Sequence, residues 1–204
     1  MKFKVTQASN GGIPPLAARC PHCGREAVMV TLGQDLALTN DIICGQRQCP
    51  RSECRGHLFI VWQGGKIVAA YPPVRVDFDA ENVPEPVRKT FEEALDCHAS
   101  GCLVAAAIMV RRTLEEICAE RGAKGANLKA RLEDLESKIV LPKELLDAMN
   151  ELRLLGNDAA HLEATTFKQI SVQELEVAIE FTKEIIKGLY QYSSLLAKLR
   201  GLKR

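Results

Sequence analysis

Aromatic side chains make up only 5% of this 204-residue chain. A core of this size must then be filled by Leu, Ile, Val and Ala, the material of helix bundles, and an all-β sandwich is not expected. Charge of one sign is also missing, since 27 Lys and Arg stand against 26 Asp and Glu. That balance excludes the overall basic surface of a dedicated duplex-DNA binder and leaves room for a local basic patch. Long hydrophobic runs are absent as well. The most apolar one, 102–110, ends at Arg111-Arg112 and falls well short of the roughly 20 residues that span a bilayer. Residues 1–18 hold no signal-peptide core and are interrupted by Gly11-Gly12-Ile13-Pro14-Pro15, so a cytoplasmic protein is expected.

What is present divides into two halves. Five of the eight cysteines, and most glycines and prolines, precede Pro86, while Pro142 is the one proline after it. Prolines from Tyr71-Pro72-Pro73 to Val83-Pro84-Glu85-Pro86 mark the hinge, because each fixes φ and keeps the preceding residue extended. The expected fold is α+β, with a small β domain and its proline-rich linker over 1–83 and a mainly helical bundle over 84–204. In the first part, 28–32 and 41–43 read as short strands. Residues 57–62 and 66–70 flank Gly64-Gly65, whose positive φ suits a tight hairpin. In the second part, Leu, Ala, Glu and Lys recur every three or four residues. Helices are predicted over 86–99, 102–121, 127–138, from Pro142 past Arg153, and from the capping box Ser171-Val172-Gln173-Glu174 to about residue 199. Gly122 is the expected terminator of the second and Asn127 the expected cap of the third.

Cys20-Pro21-His22-Cys23-Gly24 has the spacing of a metal knuckle, two thiolates three positions apart on a tight turn. Cys49-Pro50 through Cys54-Arg55-Gly56 repeats the Cys-Pro start and the nearby glycine. Together they predict a zinc ribbon whose ion is held by Cys20, Cys23, Cys49 and Cys54. Cys44 in place of Cys54, or a nitrogen from His57 or His22, is the competing choice for the fourth ligand. Four protein ligands close a tetrahedral site to substrate, so the Zn2+ would be structural. Arg47, Arg51 and Arg55 beside the second knuckle form either a phosphate-contacting cluster or an ordinary solvated surface. Cys97, Cys102 and Cys118 lie among apolar residues on helices and are expected to be core thiols.

Arg153, Asn157 and His161 recur every four residues and would share one helix face. A guanidinium can hold phosphate, an amide can position a sugar hydroxyl, and an imidazole can move a proton near neutral pH. Such a set suffices for metal-free RNA cleavage, and the same residues could equally form an internal polar network with Glu115 as the acidic partner of Arg153. Gly156, inside that helix, signals close approach of another backbone or a ligand.

These residues, with Tyr71-Pro72-Pro73, Glu93-Ala94, Arg111-Arg112-Thr113-Leu114-Glu115, Gly122 and Asn127-Leu128, resemble the domain of unknown function 4145 family, a prokaryotic group within the HEPN superfamily of helical domains, over roughly residues 70–190. The resemblance implies a HEPN-like bundle, a homodimer, and a composite metal-independent endoribonuclease site in which Arg153 holds phosphate, His161 transfers a proton, and Asn157 and Glu115 complete the set. In active members the Arg and His stand closer in sequence than Arg153 and His161 do here. A defence or toxin context acting on RNA is the leading expectation. The alternative is a non-catalytic dimerisation or docking module of a larger nucleic-acid-processing or defence complex.

Overall fold

The computed structural model describes residues 9–39, 41–160 and 170–202, and the chain divides into two units between Asp77 and Phe78. The segment after Asp77 belongs with the helices, because Phe78 packs edge-on against Phe91 with ring centroids 4.8 Å apart and Val83 is buried.

In the N-terminal unit, β1 (Ser9–Asn10), β4 (Val30–Ala37), β5 (Ile42–Gln48), β6 (His57–Gln63) and β7 (Lys66–Tyr71) form one antiparallel sheet in the order β1-β4-β5-β6-β7. The strands β2 (Ala17–Arg19) and β3 (Glu26–Val28) pair separately. The β6–β7 hairpin turns through Gly64 and Gly65, at φ +56° and +84°, the left-handed pair that a two-residue hairpin turn requires. The expected strand over 28–32 is split between the two sheets. Val28 ends β3 and Val30 begins β4, while Met29 between them is buried, its amide bonded to the Leu16 carbonyl at 2.8 Å. Ile13, Leu16, Met29, Leu58 and Ile60 form the small core together with Cys20 and Cys49.

One ion pair sits inside this sheet. Arg47 on β5 donates from Nη1 and Nη2 to the two carboxylate oxygens of Asp35 on β4, at 2.7 and 2.9 Å, and both side chains are almost fully buried. The Ile13 amide donates to the same carboxylate at 2.9 Å. A side chain on Gly45 would overlap the Asp35 carboxylate, so glycine is needed there. Arg47 therefore does not contribute to a phosphate-contacting cluster. Arg51 pairs with Glu53 at 3.6 Å and Arg55 is exposed.

The second unit comprises α1 (Glu85–Ala99), α2 (Leu103–Glu120), α3 (Leu128–Glu136), α4 (Lys143–Ala160) and α5 (Val172–Ile186), then a π-helical turn (Lys187–Gln191) and α6 (Tyr192–Gly201). The helix ends follow the capping residues. Asn127 accepts from the Ala130 amide, and Ser171 and Glu174 form the reciprocal box. Helix α2 is central, packing on α1, α3, α4 and α5 and burying Ala106, Ala107, Val110, Leu114 and Ile117. The single run expected after Ser171 is interrupted by the π turn, where Tyr190 is buried and donates to Glu120 at 2.8 Å while Arg121 stacks on its ring. Cys118 is a core thiol, Cys97 is half-buried, and Cys102 is exposed because it lies at the start of α2 outside the packed face. Among the described residues no helix is long and apolar enough to cross a membrane.

Replacing Asp35 by Asn leaves the Arg47 charge buried with its carboxylate gone, and a loss of about 3–5 kcal/mol is expected, read from urea unfolding by the fluorescence of Trp62, the one tryptophan, on β6. The Arg47 guanidinium holds the Asp35 carboxyl below its ordinary range. The pair's contribution is therefore whole above about pH 4 and lost as pH falls through the lowered value. The native protein should lose stability in acid more steeply than Asp35→Asn does.

Candidate functional site

The two cysteine loops are the turns of two hairpins. The β2–β3 register, from Ala17 opposite Val28 to Arg19 opposite Glu26, leaves Cys20–Arg25 as the first turn, closed by the Cys20 amide donating to the Arg25 carbonyl and the Gly24 amide donating to the Cys20 carbonyl, both at 2.9 Å. The β5–β6 register ends at Gln48 opposite His57 and leaves 49–56 as the second turn, closed by the Cys49 amide donating to the Gly56 carbonyl at 2.9 Å. The turns meet where the His22 ring lies against Gly56, which has no room for a side chain.

This places the sulfurs of Cys20, Cys23, Cys49 and Cys54 within 4.8 Å of one another. The Cys20–Cys54 and Cys23–Cys49 separations are 3.8 and 3.9 Å. A tetrahedral ion with metal–sulfur bonds of about 2.3 Å sets its sulfurs roughly 3.8 Å apart, so the four residues fit such an ion. The other candidates for the fourth ligand are engaged elsewhere. Cys44 is buried within β5, opposite Val61 and Leu36. His22 Nε2 lies 2.7 Å from the His57 carbonyl, and His57 Nε2 lies 2.8 Å from Gln48 Nε2.

The electrostatics favour a cation at the centre. A backbone hydrogen bond from Arg25 outweighs burial and brings the Cys23 thiol down to about 7. The Gly56 amide also favours the Cys54 thiolate, yet burial and the neighbouring Cys23, Cys20 and Cys49 push that thiol up to about 12. The first thiolate forms readily and later ones resist until positive charge arrives, which is the linkage that couples metal binding to proton release.

In the helical unit the polar face forms where α4 crosses α2. A Cβ on Gly156 would overlap the Arg111 side chain and come within 2.9 Å of the Ala107 carbonyl. The close approach expected of that glycine is therefore to α2. It brings Arg111 to α4, where its Nη1 donates to the Arg153 carbonyl at 3.1 Å. Glu115 pairs with Arg111 along its own helix, Nε to Oε1 3.4 Å, and not with Arg153. Arg153 and Asn157 are half-buried, and the Arg153 Nε is buried with no hydrogen-bond partner among the described residues. His161 lies outside the described residues. The sequence reading of the stripe left out Arg111, although Gly156 and the Arg111-Arg112 pair were the signals that could have joined it to α4.

Two outcomes follow from these sites. Protein purified without chelator should carry one metal ion per chain by elemental analysis, Cys49→Ser should lose it, and bound metal should decline as pH falls because protons compete for the thiolates. Gly156→Val should cost about 1–3 kcal/mol by overpacking against α2, measured as a lowered urea midpoint with an unchanged slope.

The family model described as Domain of unknown function (DUF4145) matches residues 92–203. No curated protein and no solved structure matches the chain. The matched stretch begins within α1, runs through α6, contains the α2–α4 crossing at Gly156, and takes in more than half of the residues. The chain belongs to the DUF4145 family.

Proposed function

We infer that the N-terminal unit is a zinc ribbon and that the helical unit is a HEPN-like bundle acting on RNA at the α2–α4 face. The observation that carries this reading is the Arg153 Nε, buried without a partner among the described residues, on the residue whose backbone carbonyl accepts from Arg111. The Arg153 guanidinium, partly desolvated and with no paired carboxylate among the described residues, suits phosphate oxygens, which accept from two nitrogens at once. The knuckles support zinc as the resident ion, since an all-thiolate set closed to substrate serves a structural d10 ion and holds the two hairpin turns together.

On this reading Arg153 and Arg111 hold the phosphate, Asn157 orients the ribose, and Glu115 holds Arg111 in place. For cleavage, the 2′-hydroxyl attacks the adjacent phosphorus, its proton passes to a base, and the leaving 5′-oxygen takes up a proton. The 2′,3′-cyclic phosphate and a free 5′-hydroxyl result. His161 is the residue on this stretch able to carry that proton near neutral pH. A homodimer would set two such faces in one particle, and a prokaryotic defence or toxin setting is the context this activity would serve. The second reading, a docking module without catalysis, is favoured by the exposed leucines Leu195, Leu199 and Leu202 on and just after α6, which RNA binding does not use.

The test is cleavage of a mixed single-stranded RNA in EDTA, at a level that leaves the cysteine-held metal in place. The native protein should cut, and His161→Ala, shown to be equally folded, should be slower by about 10²–10⁴-fold. Arg153→Ala should weaken RNA binding and lower the slope of log affinity against log salt by about one. Salt-dependent binding with no cleavage by the native protein would favour the docking module, and neither binding nor cleavage would remove the RNA reading.

A further inference from the structure

Helices α4 and α5 enclose an open groove of about 630 Å³. Its apolar lining includes Leu152 and Leu155 from α4 and Val177 and Phe181 from α5. Val177 and Phe181 are exposed, so the described residues do not cover this surface. Glu144, Asp147 and Glu151 on one side and Glu174 on the other also line it, and no Lys or Arg does among the described residues. The Ser171 hydroxyl and amide hold the Glu174 carboxyl below its ordinary range, so it stays charged. What fits is an apolar ridge about three turns long, flanked by positive charge.

The same chain carries such a ridge. Tyr192, Leu195, Leu196, Leu199 and Leu202 are all exposed, and α6 buries none of its residues. At 3.6 residues per turn these five side chains fall within an arc of about 120°, and Lys198 and Arg200 stand about 40° outside it, one on each edge. Tyr192 to Leu202 spans about 15 Å of helix, and so does Ser171 to Phe181 along the groove.

The ridge cannot reach its own groove. The π turn joins α5 to α6 with right-handed helical dihedrals at Ile186, Lys187, Gln191 and Tyr192, so α6 carries the chain onward and away from the half of α5 that lines the groove. Its position is held by Ser194, bonded to Asn82, and by Lys198, bonded to Glu81 at 2.6 Å.

The geometry points to a second copy of this chain as the occupant: α6 of each protomer lies in the α4–α5 groove of its partner, leucines on the apolar floor and Arg200 against the acidic rim. The arrangement is self-complementary, so a two-fold axis uses both grooves and both ridges, and neither is left over to build a filament. It is the helix-in-groove mode of recognition, with anchors at i, i+3, i+4 and i+7. This inference deepens the dimer named above and does not depend on RNA.

Light scattering at tens of micromolar should give twice the 22.5 kDa of one chain. The ridge variant Leu195→Asp/Leu199→Asp and the groove variant Val177→Asp/Phe181→Asp should each fall to a single-chain mass with unchanged helical circular dichroism. Mixed one to one, they should recover a two-chain particle, since one intact ridge then meets one intact groove. Arg200→Glu should weaken the dimer, and Glu144→Lys/Glu151→Lys added to the same chain should restore it, a rescue that misfolding would not produce. A monomeric native protein overturns the inference. So does a groove variant that stays dimeric while the ridge variant does not, which would mean ridge packing on ridge, and so does a dimer that survives both. RNA binding by the folded monomeric variants reports separately on the RNA reading, so either idea can fail alone.

Discussion

The candidate site on the helices depends on one close contact, the crossing of α4 over α2 at Gly156. With a side chain there the helices would separate, because the nearest α2 atoms are the Ala107 carbonyl and the stem of Arg111, neither of which can yield without disturbing the buried run Ala106, Ala107 and Val110. The same approach draws Arg111 onto the Arg153 carbonyl. Packing and polarity are thus one constraint: the glycine that lets the core close also brings a second guanidinium to the face that carries Arg153 and Asn157.

The N-terminal unit meets a different constraint. Its apolar cluster is small, and two of its most buried members, Cys20 and Cys49, are also metal-ligand candidates. A unit of this size buries too little surface to be comfortable on hydrophobic burial alone, and small domains commonly make up the deficit with a metal. The hairpin turns that present the sulfurs are joined by no covalent link, so the His22–Gly56 contact, and a cation once bound by the four thiolates, would tie together two sheets that otherwise share only a short core. The buried Asp35–Arg47 pair adds specificity of a geometric kind, because it fixes β4 against β5 and, through the Ile13 amide, the strand-free segment before β2.

Much of this was legible in the sequence, for identifiable reasons. Gly64-Gly65, Asn127 and Ser171 declared a hairpin and two helix starts because each acts through its immediate neighbours, and the Cys-x-x-Cys pattern declared its cluster because ligand spacing is local too. What escaped depended on long-range partners. Arg47 looked like a surface cation beside a knuckle, and only the pairing of β4 with β5 shows that Asp35 stands opposite it. Glu115 looked like the partner of Arg153, but i,i+4 geometry gave it to Arg111 first. Cys102 looked like its buried neighbours, since its place outside the packed face depends on where α2 begins. The π turn at Lys187–Gln191 has no signal in a periodicity that continues through it; within it Tyr190 is buried and meets Glu120 and Arg121.

Arg47 and Arg153 show how differently the desolvation of two guanidiniums can be answered. Both are removed from water, wholly or in part, which costs free energy unless the guanidinium is answered by acceptors. Arg47 is answered in full: two carboxylate oxygens and the Gln46 carbonyl accept from it, and that carboxylate is itself fixed by a backbone amide. Nothing further is needed for the charge to be stable where it is, and no ligand would find a donor to engage. Arg153 has a buried Nε with no acceptor among the described residues, while its backbone carbonyl accepts from Arg111. The Arg111 charge is met along α2 by Glu115. The polar face of α4 thus holds one guanidinium whose burial the described residues answer only in part.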